Sequence, residues 1–157
     1  MDQHTRLKIK LELYWILATI ILIIGVMYPI FTAVDNYFFF WINILFIAVF
    51  VTFFRYIFFL RYTLIAYNLK LKLLLMVLSF PLLIVLVANF NDFRNYIDEQ
   101  GIQSLFEHLS FKENDRLSNY IKNETIFFSV SSIIVGVAFP LRMLISVWRQ
   151  YNKKGTI

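Results

Sequence analysis

The sequence predicts an all-α fold: an integral membrane four-helix bundle with a short amphipathic helical segment between spans 3 and 4. Three observations carry that reading. Apolar residues make up 60% of the 157-residue chain and aromatic residues 19%, against about 45–50% apolar in a soluble domain. Four apolar runs each reach the ~20 residues that a helix needs to cross a hydrocarbon core. Lysine and arginine gather on one side of those runs, as the positive-inside rule expects of a multi-pass protein.

The first span covers about 13–33. Arg6, Lys8 and Lys10 precede it, as in a signal peptide, but the apolar run is too long for a signal core and no A-x-A site follows. It is therefore expected to be a retained helix. A three-residue link, Val34, Asp35 and Asn36, leads to the Phe-rich second span at about 37–60. So short a link requires an antiparallel hairpin. The stretch 61–72, RYTLIAYNLKLK, is basic and free of acids. It reads either as a helical extension of the second span or as an interfacial piece. The third span, about 71–90, carries Pro81 near its middle.

The one sizeable polar stretch is 91–124. Phe93, Tyr96 and Ile97, and then Ile102, Leu105, Phe106 and Leu109, recur at helical spacing. Gly101 suits a helix end between the two groups. Ser110 and Glu113 match the S-x-x-E capping box of another helix, which runs through Leu117, Tyr120 and Ile121 into the fourth span at about 125–148. So few residues cannot build a core of their own. The stretch is expected to lie on the membrane or cap the bundle, within one domain covering 1–157.

Charge orients the chain. Eleven of the 15 basic residues belong to the N-terminal segment, the second-to-third connection with its flanks, or the C-terminal flank. Only Arg94, Lys112, Arg116 and Lys122 lie on the other side. Both chain ends are thus expected in the cytoplasm and 91–124 outside it, in the periplasm if the host is bacterial. Eight of the ten acids, from Asp35 to Glu124, fall on the outer side in agreement. So strong a bias argues against a dual-topology dimer. Tyr14, Trp15, Trp148, Tyr37 and Trp41 stand where interfacial aromatics belong. Heavy use of Phe, Ile, Asn, Lys and Tyr resembles an AT-rich genome and hints at a bacterial inner membrane.

Several functional classes lose support. The chain has no cysteine, which removes disulfides, thiolate metal sites and cysteine nucleophiles. His4 and His108 are far apart and in no ligand pattern; His108 reads as a surface residue. The net charge of +5 follows from the membrane flanks, so no nucleic-acid partner is expected. No P-loop, G-x-S-x-G or H-E-x-x-H is present. No enzymatic activity, cofactor, metal or small-molecule substrate is expected. Asn123-Glu-Thr125 matches a glycosylation signal but lies too close to the membrane for modification.

The residues that stand out are charged or small. Arg55 and Arg142 lie inside apolar runs, where a charge costs a few kcal/mol and marks a candidate site. Each side chain can also snorkel to headgroups or contact a lipid phosphate. Glu12 is the one acid on that side beside a span. It is expected to pair with Arg55 or Arg142, because an unpaired charge there is expensive. Ser129, Ser132 and Gly136 form a small-residue stripe that lets helices approach closely, inside the bundle or between subunits. Pro29, Pro81 and Pro140 can kink their spans, mainly as determinants of shape.

Two functional readings follow. Small size, few polar residues on any path, and an amphipathic outer segment favour an accessory, structural or regulatory subunit, partnered by the bilayer and by another membrane protein or a second copy. The alternative is a homo-oligomeric channel, small transporter or membrane-perturbing effector, lined by Asn43, Thr52, Ser129 and Ser132 with Arg55 or Arg142 favouring anions. The chain is similar in size to small multidrug exporters. Those carry a carboxylate well inside the first span and abundant glycine, whereas Glu12 stands at the start of its span and the chain has four glycines.

Overall fold

The computed structural model describes residues 3–33, 37–106 and 110–152. The link at 34–36, Glu107, His108, Leu109, Lys153 and Lys154 lie outside them. Within the described residues the protein is all-helical, with α1 Gln3–Ala33, α2 Phe40–Phe59, α3 Leu69–Gln100 and α4 Phe111–Asn152. All four are long and apolar enough to cross a membrane. The chain is a multi-pass four-helix bundle.

The helices outrun the apolar runs that announce them. α1 continues back through Lys10, Lys8 and Arg6 without a break. α3 does not stop near 90 but carries Phe93, Tyr96 and Ile97 on to Gln100. At ~1.5 Å per residue, the 42 residues of α4 extend about 63 Å, twice a ~30 Å hydrocarbon core. The amphipathic stretch is therefore no separate helix. It is the projecting end of α3, a 3-10 turn Ile102–Phe106 and the first turns of α4. Gly101 ends α3 with φ +72°, a backbone region costly for residues with a Cβ, and its N–H bonds to the Ile97 carbonyl. The Ser110 hydroxyl donates to the Glu113 carboxylate at 2.6 Å, and Asn114 N–H closes the first turn on the Ser110 carbonyl. The cap thus uses its two side chains on each other.

The 61–72 connection is neither an extension of α2 nor a surface helix. It folds as two 3-10 turns, Leu60–Tyr62 and Leu64–Tyr67. Leu60, Thr63, Ile65 and Ala66 are buried, so the connection plugs one end of the bundle. Asn68 then caps α3 by accepting from Leu71 N–H.

α4 is the axis of the molecule. Its buried residues run Ser118, Ile121, Thr125, Phe128, Ser132, Val135, Phe139, Met143 and Ser146, a three-and-four repeat that keeps one stripe inward. Contacts are most extensive between α2 and α4 and between α3 and α4. Phe53 stacks on Phe139 with centroids 4.1 Å apart. Where Gly136 passes α3, an added Cβ would lie 3.0 Å from Leu83 Cδ1. The stripe Ser129, Ser132 and Gly136 is buried within this single chain, so close approach serves the α3–α4 packing. α1 sits outside this core. It meets chiefly α2, buries Met27 and Ile30, and leaves Leu13, Leu17, Ile21 and Ile24 exposed. The three prolines lie inside unbroken helices.

Candidate functional site

Three polar groupings lie within the bundle. Two are at the end where α1 begins and α4 finishes, and one is toward the opposite end, near the start of α2.

The first is an ion pair. Arg55 Nη1 donates to Glu12 Oε2 at 2.6 Å, and the two side chains are 7% and 17% exposed. Arg55 projects inward from the last turns of α2 and Glu12 from the third turn of α1. The other Glu12 oxygen accepts from Leu64 N–H at 3.2 Å, tying the plug to α1. The guanidinium faces the rings of Trp15 and Tyr56, 5.5 and 5.8 Å from their centroids. Of the two arginines that sequence offered as partners for Glu12, the structure brings Arg55 to it and places Arg142 elsewhere.

Arg142 belongs to the second grouping. Its Nε donates to the Ile57 carbonyl at 3.0 Å, near the carboxyl end of α2, where carbonyls lack intrahelical donors and the helix dipole favours a cation. Beside it, Lys72 of α3 is fully buried against α4. Its Nζ donates to Ser146 Oγ at 2.9 Å and Gln150 Oε1 at 2.8 Å. Gln150 in turn donates to the Tyr67 carbonyl, and Lys8 Nζ sits 3.9 Å from the centre of the Tyr67 ring. The plug is thereby held by α1 and α4 together. In the sequence Lys72 is one of several flanking bases, and nothing distinguishes it from Lys70, which is exposed.

The third grouping was not legible in the sequence. Asn43 is fully buried, Glu124 is 8% exposed and Thr125 is fully buried. Asn43 Nδ2 lies 2.8 Å from Thr125 Oγ1, 3.1 Å from Glu124 Oε2 and 3.3 Å from the Tyr37 hydroxyl. Thr125 also donates to Glu124 Oε2. Asn43 Oδ1 and Glu124 Oε1 are buried with no hydrogen-bond partner among the described residues. Glu124, counted by charge as an outer-side acid, is thus part of the core. The available signal was Asn43 in a run, 38–51, otherwise made of apolar residues. That pattern gives a polar residue but not its partner 81 positions away.

The remaining candidates are satisfied locally. Ser129 Oγ donates to the Ile126 carbonyl and Ser132 Oγ to the Ser129 carbonyl, so neither hydroxyl lines open space. Thr52 is exposed and borders two cavities beside the ion pair. One, of about 190 Å³, lies between α1 and α2. The other, of about 470 Å³, reaches Leu75 and Phe139. Among the described residues no cluster of His, Cys, Asp and Glu could hold a metal ion.

These features define a helical multi-pass membrane protein with paired charges at one end and a buried polar cluster at the other. In comparison with known proteins, no family model, no curated protein and no solved structure matches the chain.

Proposed function

We propose that this protein is a non-catalytic accessory or structural subunit of a larger membrane assembly. Its two ends would face the cytoplasm and 91–124 the opposite side. The observation that supports this most directly is the division of its polar interior. The Asn43–Glu124 cluster and the charges at the other end are separated by Phe46, Ile47, Leu86, Phe128 and Phe139, all buried. The serines between them bond to their own helix. A hydrated path needs polar groups shared along several helices, and between the two polar ends one copy of this chain has buried aromatic and aliphatic side chains instead. α1 adds to the case, because it leaves one side free for a neighbouring helix or lipid.

The test is purification of the tagged chain from its native membrane in mild detergent, with mass spectrometry and native-size analysis. A stoichiometric foreign partner is the expected result. A homo-oligomer with no partner would overturn the reading in favour of a channel or transporter. Ion flux in liposomes, compared with Arg55→Ala and Arg142→Ala, would then be the decisive measurement.

A further inference from the structure

The cavity beside the Glu12–Arg55 pair combines features that a merely structural ion pair does not require. It lies between α1 and α2, with Trp15, Thr19, Thr52 and Tyr56 on its walls and both charged side chains at its edge. Arg55 offers only Nη1 to a protein acceptor. Its other guanidinium nitrogens have no protein acceptor among the described residues, and the side chain, 7% exposed, lines the cavity. Each Glu12 oxygen accepts one hydrogen bond and keeps a lone pair for another.

Position and charge limit the occupant. Arg55 stands four residues before the end of α2, about 6 Å along the axis, at the depth where a span meets headgroups. Thr52, Tyr56 and Glu12 also border the larger apolar groove that runs to Leu75 and Phe139. A ligand there meets headgroup chemistry and hydrocarbon together. The pair carries one charge of each sign, so its best complement is a ligand that also carries one of each. A phosphate suits the free guanidinium N–H groups, and a primary ammonium can donate to Glu12. A quaternary ammonium has no N–H to give. The nearby rings that would attract it already face Arg55.

We propose that the α1–α2 cavity binds one zwitterionic phospholipid with a primary-amine headgroup, its phosphate on Arg55 and its ammonium on Glu12. The site stands whether or not the chain is a subunit of a larger assembly.

The test uses the full chain in nanodiscs of equal parts phosphatidylethanolamine, phosphatidylcholine and phosphatidylglycerol with matched acyl chains. Lipid retained after detergent extraction is counted by native mass spectrometry. The wild type is expected to retain one phosphatidylethanolamine, favoured by about tenfold over each competitor, the worth of one charge-assisted hydrogen bond. Glu12→Gln leaves Arg55 uncompensated, so preference should move to phosphatidylglycerol. Thr19→Leu fills the cavity without touching either charge and should reduce retention of all three. The Thr19 hydroxyl bonds only to the Trp15 carbonyl of its own helix, so that variant keeps the fold. Free phosphoethanolamine in the wash should displace nothing. Equal retention of the three lipids, an unchanged preference in Glu12→Gln, or displacement by the free headgroup would each overturn the proposal.

Discussion

Asn43 shows how much one side chain can organise in an apolar interior. Its amide nitrogen meets a phenol, a carboxylate and a hydroxyl, linking the approach to α2 with α4. Asn43→Leu should cost about 1–3 kcal/mol, because it leaves buried partners unmade. Glu124→Gln should cost less, since it keeps the shape and brings a donor to a site that holds unpaired acceptors. Thermal unfolding in one detergent separates the two, and equal loss would mean that the Glu124 charge itself matters. The Glu12–Arg55 pair is open to a stricter test. Glu12→Gln and Arg55→Gln should each destabilise by about 1–3 kcal/mol, and the double variant by clearly less than their sum. Additive losses would show that the 2.6 Å contact contributes nothing to stability.

Among the elements, α4 and the plug matter most. The inward stripe of α4 alternates large residues with Ser and Gly, and α3 meets it at Gly136 and Ser146. At Gly136 an added methyl meets two flexible side-chain tips, Leu83 at 3.0 Å and Leu86 at 3.8 Å. Gly136→Ala should therefore be close to neutral, the small crowding offset by better helix propensity. Gly136→Leu overfills the contact and should lose about 1–3 kcal/mol. Equal stability of the two variants would mean that α3 and α4 are not in close contact there. The plug illustrates a limit of reading by pattern. RYTLIAYNLKLK has no clear period, and its second 3-10 turn is held by distant side chains, Glu12 on Leu64 and Gln150 on Tyr67.

At the scale of the whole molecule, the bundle is lopsided. α2, α3 and α4 form a packed core, and α1 leans on α2. Tyr120 of α4 donates to the Val26 carbonyl and Glu12 binds Arg55, so α1 is pinned at two points, with two cavities between it and α2. The charge bias predicts an orientation in the membrane that can be measured cleanly, because the chain has no cysteine. Gln103→Cys should react with a membrane-impermeant maleimide added to intact cells, and Lys70→Cys only after permeabilisation. Both positions are exposed. The reverse pattern would place the basic end outside and contradict the positive-inside reading.

The sequence by itself determined four helices long and apolar enough to cross a membrane, approximately where they lie, and that Gly101 interrupts the polar stretch 91–124. Those properties follow from local composition and spacing, since a lipid solvent demands long apolar helices whatever their neighbours. It also narrowed the partners of Glu12 to two arginines, because a lone acid among buried bases has few choices. Only the tertiary structure decided that the partner is Arg55, that Lys72 is buried against Ser146, and that Glu124 meets Asn43 inside the bundle. Each pair lies more than 40 positions apart. Inside lipid every helix face is apolar, so hydropathy does not mark which face turns inward; that choice rests on how helices rotate and pack against one another.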